Sequence, residues 1–147
     1  MPVRISGPPA GARGARVDVV ALRARARALL GAVGHARSEL SIALVDDAEM
    51  RALNRGWRGR DRSTDVLSFS LLEGEGSAHR GGLLGDVVIS VETAAAQAAA
   101  RHRALDDEVL RLLIHGLLHV LGHDHEKDEE ARIMEAEQRR LWRRVRA

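Results

Sequence analysis

The chain contains no cysteine, which excludes a disulfide scaffold and any cysteine-ligated zinc site. It has no tyrosine, and its aromatic content is only 2%, namely Trp57, Phe69 and Trp142. Single-strand binders that stack bases need several exposed aromatics, so any RNA contact must rest mainly on charge and shape. No apolar run approaches the roughly 20 residues that a bilayer-crossing helix needs. The opening stretch MPVRISGPPAGARGARVDVV lacks the apolar centre of a secretory signal. The expected location is therefore the cytoplasm, where a chain without thiols is at home.

Lysine is almost absent too, because Lys127 is the only one and arginine carries nearly all the positive charge. The net charge is +2, yet the isoelectric point is about 10.2. An arginine-rich surface suits phosphate backbones. A GC-rich genome that writes arginine in place of lysine gives the same composition, so the position of the arginines has to decide.

What is present fits one α+β domain over residues 1–147, since 45% hydrophobic and 30% charged residues are ordinary for a globular chain of this length. Strands are expected at Val3–Ser6, Glu39–Asp46, Thr64–Leu72 and Leu83–Ser90. Helices are expected from Val17 to about Ala32, from Asp46 or Asp47 to about Arg55, and over VETAAAQAAARHR with Ser90 as N-cap. Another helix, EVLRLLIHGLLHVL, should be capped by Asp106 or Asp107 and ended by Gly122. The first helix should face inward through Val17, Val20, Ala21, Ala24, Ala28 and Leu29. The terminal helix should dock through Ile133, Met134, Leu141 and Val145. The EGEGSAHRGG segment reads as a polar loop, and the whole as a small mixed sheet packed with helices.

The densest chemistry lies in HGLLHVLGHDH, which holds four of the seven histidines. His115 and His119 are four residues apart on a helix, so their imidazoles share one face. Gly122 can turn the chain back, and His125 can then supply a third ligand from the turn after the helix. Three histidines leave a fourth tetrahedral position open, the pattern of a catalytic zinc. His123 is the alternative third ligand, and Asp124 can accept from a ligand N–H. This is also the ligand spacing of metzincin proteases, in which a glutamate follows the first histidine. Here Gly116 stands in its place. Zinc can still lower the pKa of a bound water to about 7, but peptide cleavage also requires a proton for the leaving amine. Phosphodiester cleavage depends more on stabilising charge, which favours zinc with arginine.

The second dense stretch is NRGWRGRDRSTDVLSF, in which Arg55, Arg58, Arg60 and Arg62 precede a strand and Asp65 could hold an arginine. Together, WRGRDRSTDVLSFS, GDVVIS, HGLLHVLGHDH and EEARIMEAEQ resemble the signatures of the YbeY family of bacterial rRNA-maturation endoribonucleases. The resemblance runs from about Glu39 to Leu141. It implies an α+β fold, one Zn2+ on His115, His119 and His125, and a functional arginine at Arg58 that contacts the scissile phosphate. It further implies a single-strand-specific, zinc-dependent endoribonuclease acting in ribosome quality control and 3′-end maturation of 16S rRNA. Its partners would be rRNA and the small ribosomal subunit, with no role for DNA or a membrane. Ser63 and Ser70 stand at the family's proline positions, Trp57 replaces tyrosine and Arg60 replaces lysine, changes that could loosen the loop near Arg58. Two other readings stand beside this one, a zinc-stabilised assembly factor that binds rRNA without cleaving it and a metalloprotease. The C-terminal RRLWRR is either an rRNA contact or a helix end that complements the dipole.

Overall fold

Among the described residues, nine elements follow one another in the order read from the sequence: β1 (Val3–Ser6), α1 (Val19–Ala32), β2 (Glu39–Val45), α2 (Asp47–Arg58), β3 (Val66–Ser70), β4 (Leu83–Ser90), α3 (Val91–Ala100), α4 (Leu105–Val120) and α5 (Asp128–Arg146). This computed structural model describes residues 3–9, 16–59, 64–71, 82–124 and 126–146, with the backbone but not the side chain of Arg58. The EGEGSAHRGG segment lies outside the described residues except for Gly82.

The four strands form one mixed sheet in the order β1-β2-β4-β3. β1 and β4 both run parallel to β2, while β3 pairs antiparallel with β4 from Val66 opposite Ile89 to Ser70 opposite Gly85. Alternation along a strand sends successive side chains to opposite faces. Leu40, Ile42, Leu44, Val87 and Ile89 therefore enter the main core. Val45, Leu67 and Val88 form a smaller cluster on the other face with Met50 of α2. The sheet lies between α2 on one side and the remaining helices on the other, with α4 buried at the centre.

The inward face of α1 differs from the expected one. Leu22, Ala26, Leu29 and Leu30 are buried, whereas Val20 is 81% exposed. Asp18 caps the helix by accepting from the Ala21 N–H, and the face carrying three leucines buries more apolar area than the alanine face. On α5, Met134, Leu141 and Val145 dock as expected, but Ile133 is 55% exposed because it lies off their stripe. The cap of α4 also differs. Its N-cap is Ala104, with no side-chain bond. Asp106 instead accepts from the Asp18 N–H, and Asp107 pairs with Arg25 and Arg146, so both acids join α4 to its neighbours. They still sit in the first turn, where negative charge complements the helix dipole. Asp46 caps α2 and Ser90 caps α3.

Candidate metal centre

α4 lies against β3 and β4 at Gly116. A Cβ there would come within 2.7 Å of Val87 Cγ1 and 3.3 Å of Val66 Cγ2, so hydrogen is the only substituent that fits without a shift. The residue after His115 thus faces the sheet, while His115 and His119, one turn apart, emerge half-buried on another side of the helix. Their ring centroids are 4.7 Å apart with planes inclined at 70°, and their Nε2 atoms are 3.2 Å apart.

The end of α4 is closely fixed. Gly122 takes φ +97°, its N–H bonds to the His119 carbonyl at 3.0 Å, and the His123 N–H bonds to the Leu118 carbonyl at 2.9 Å. These two bonds are the Schellman pattern, and they redirect the chain immediately after the second histidine. The Ser70 hydroxyl donates to the Val120 carbonyl at 2.8 Å, tying β3 to the same helix end. Serine at this proline position therefore adds a tether rather than loosening the strand. Ser63, Arg60 and Arg62 lie outside the described residues.

A second helix contributes a residue that the sequence reading missed. Gln138 of α5 places its amide Nε2 2.7 Å from His115 Nδ1. The two ends of a carboxamide are assigned from their bonding partners. As placed, Nε2 donates to Nδ1; turning the amide over puts Oε1 there to accept from Nδ1–H, the tautomer that leaves the lone pair on His115 Nε2 for a metal. A signal existed in the sequence: Gln138 is a polar residue on the stripe of Met134, Leu141 and Val145, where a polar group needs a partner.

These residues fit a zinc ion in the following sense. Two imidazole nitrogens bound at the usual distances to one tetrahedral Zn2+ are separated by about 3.3 Å, and the pair here is at 3.2 Å. Without metal, the same distance lets one Nε2–H donate to the other ring. Among the described residues no group of three potential ligands forms, and the expected third donor, His125, lies outside them. His123 is half-buried in the turn. On α5, the hydrogen bond from the Arg140 guanidinium is the main cause holding the Glu137 carboxyl below the usual carboxylate range.

Arg58 is the last residue of α2, followed by Gly59 at φ +68° as a left-handed cap. Its neighbour Trp57 meets Phe69 edge-on at 5.9 Å, so this helix end lies beside β3 on the face away from α4. The side chain of Arg58 lies outside the described structure. Asp65 does not take an arginine directly among its described contacts. It accepts from the Val66 N–H at 2.8 Å and from Gln97 Nε2 at 3.2 Å. Gln97 Oε1 accepts from Arg111, and Arg111 clasps Glu108 through Nε at 3.0 Å and Nη2 at 2.7 Å. The start of β3 is thereby connected through α3 to the stripe of α4 that carries the histidines.

A small mixed sheet around a central helix that presents two histidines defines an α+β protein with a candidate metal site on that helix. Residues 16–146 match the family model described as Endoribonuclease YbeY, and the chain belongs to that family. An Endoribonuclease YbeY of Anaeromyxobacter sp. (strain Fw109-5) is 52% identical over 97% of this chain and 71% of its own length. One from Syntrophotalea carbinolica is 46% identical over 74% of each chain. The chain thus spans about seven-tenths of the length of these relatives. The solution structure of TM1509 from Thermotoga maritima superposes with a TM-score of 0.66 at 27% identity, covering 97% of this chain and 88% of that one.

Proposed function

We propose that this chain is a metal-dependent, single-strand-specific endoribonuclease that holds one Zn2+ through His115, His119 and His125. In this reading it acts in the cytoplasm on rRNA of the small subunit, in quality control and 3′-end maturation of 16S rRNA. The observation that carries the reading is the 3.2 Å separation of the two Nε2 atoms, in a chain of the endoribonuclease YbeY family. Among the described residues no helix is long and apolar enough to cross a membrane. Gly116 weighs against the protease alternative, because the position that would carry a base is filled by Val66 and Val87.

Zinc, when bound, supplies a Lewis acid for a phosphoryl oxygen and lowers the pKa of water. The chain's own part is to hold and orient. His115 and His119 present Nε2 from a rigid helix, and Gln138 fixes the tautomer and plane of His115. Arg58 contributes positive charge for the phosphate as negative charge develops on it.

The deciding experiment measures zinc content and RNA cleavage in the same purified samples, beside a peptide substrate. His119→Ala and chelated protein are expected to lose RNA cleavage, with no peptide cleavage in any sample. Arg58→Ala should keep its zinc and fold while cleavage falls by a factor on the order of 10² to 10³. Folded, metal-free protein that still processes rRNA would overturn the zinc role, and an Arg58→Ala variant with the parent rate would overturn the arginine role.

Gln138 gives a test that does not depend on activity. Loss of such a supporting hydrogen bond weakens metal binding by about 10- to 100-fold. Gln138→Ala should show that loss in a competition titration of zinc against a chromophoric chelator. Gln138→Glu, whose carboxylate can also accept from Nδ1–H, should restore affinity. Parent-like affinity in Gln138→Ala would show that the amide does not orient the ligand.

A further inference from the structure

We infer that the outer face of α5 is a second RNA-contact surface, one that grips phosphates away from the histidine pair. The inference rests on the endoribonuclease reading for the identity of its partner. Arg139, Arg140, Arg143 and Arg144 line an open hollow whose only other lining residue is Ala136. Their spacing places them opposite the stripe of Met134, Leu141 and Val145 that docks the helix, so the face points outward.

The charges on this face are poorly answered from within the fold. Arg140 is held by the Glu137 carboxylate and donates to the Ala32 carbonyl at 3.2 Å. Arg139, Arg143 and Arg144 have no ion pair or hydrogen bond among the described residues. Arg139 stacks on Arg143, and Arg140 on Arg144, at four-residue spacing, where like charges destabilise a helix by a few tenths of a kcal/mol per pair. The helix dipole explains only part of this arrangement, because its influence fades beyond the last turn. α5 ends at Arg146, so Arg139 and Arg140 lie beyond that reach.

A polyanion relieves this repulsion, and guanidinium groups bind phosphates through paired N–H donors. The hollow holds no large apolar side chain and Ile133 is the single exposed one on the described helix, too few for insertion into a lipid surface, which favours a nucleic acid over a membrane. It belongs to the helix whose Gln138 touches His115, five residues before Arg143. That is about 8 Å along the axis and about one helix diameter across. A structured RNA reaching the histidines can therefore lie against both sides of the same helix. Contacts of this kind carry no base information and set register and affinity.

The test is the salt dependence of binding to a fluorescein-labelled single-stranded RNA of mixed sequence, read by anisotropy, with probe integrity checked on a gel. Losing three phosphate contacts should lower the slope of log affinity against log salt by about 2 and weaken binding at least about ten-fold near 0.1 M salt. This is expected of the Arg139→Gln, Arg143→Gln, Arg144→Gln triple variant, and the corresponding lysine triple should keep most of the parent slope. A charge-matched control off this helix, Arg4→Gln with Arg16→Gln and Arg37→Gln, should also keep it. A parent slope in the first variant, or an equal loss in the control, overturns the inference. So does a parent that binds phosphatidylserine vesicles and no RNA. A parent that binds RNA through this face but never cleaves it overturns the endoribonuclease reading and leaves this surface standing.

Discussion

Replacing Glu108 with alanine should cost about 3–5 kcal/mol of folding stability, the usual cost of removing one partner from a buried ion cluster. Glu108 is fully buried, in the first turn of α4. Its carboxylate accepts from Arg101 and Arg103 at 3.3 Å each, and from Arg111 at 2.7 Å. The three guanidinium side chains are 48%, 32% and 33% exposed, so each can recover some hydration if the acid is lost. Glu108 cannot be exchanged so cheaply. It is the common anion of three cations drawn from the α3–α4 turn and from α4 itself, and alanine leaves them to repel one another around a cavity. Glu108→Gln keeps the volume but turns N–H donors toward guanidinium donors, and should cost about 2 kcal/mol. Urea midpoints for the two variants should fall in that order, both below the parent. If Glu108→Ala melts with the parent, the cluster is surface decoration and this account of the α3–α4 corner is wrong. Arg111 also bonds Gln97, so the loss should extend to the tie between α3 and Asp65.

The contrast between Glu108 and His115 shows what a sequence makes visible. The order of all nine elements could be read, because alternation, helical spacing and caps such as Ser90 and Asp46 are local signals. The histidine motif is also local, because His115 and His119 stand one turn apart on a single helix. Gln138 sits on a stripe that is otherwise apolar, which says that it is partnered but not with what, whereas Glu108 shares its stripe with Arg111, His115 and His119 and nothing local marks it as buried. Arg111 is a local partner of Glu108 on the same helix, but Arg101 and Arg103 reach it from the α3–α4 turn and His115 meets Gln138 from another helix, which only the tertiary fold arranges. The misread faces have the same cause. Val20 and Ile133 satisfy helical spacing as well as their neighbours do, and it is contact with the rest of the core that selects Leu22 over Val20 and keeps Met134, Leu141 and Val145 while leaving Ile133 outside. Asp106 and Asp107 have the chemistry of caps, but cross-helix partners claim them.

Gly116→Glu, the substitution that would restore a protease-like motif, should abolish stable folding rather than create a peptidase. A carboxylate at this position enters the contact between α4 and the β3–β4 edge, where even a bare Cβ meets Val87 Cγ1 at 2.7 Å. Burying an unpaired carboxylate costs several kcal/mol after relaxation, against a total stability of about 5–15 kcal/mol for a domain. Gly116→Ala separates the steric part from the electrostatic part. Alanine gains up to about 1 kcal/mol in helix propensity, while overpacking costs about 1–3 kcal/mol. Valine is stiff about χ1 and cannot swing aside freely, so the balance should be a net loss of about 1–2 kcal/mol. The coupling to Val87→Ala in a double-mutant cycle should then be favourable, since removing the opposing methyls makes room for the new Cβ. A folded Gly116→Glu protein that hydrolyses peptides would refute the assignment. It would mean that the side chain after His115 can reach the histidine face, whereas the packing aims it at Val66 and Val87. On that packing, the glycine is a condition for seating the histidine-bearing helix on the sheet, not a gap left by a lost base.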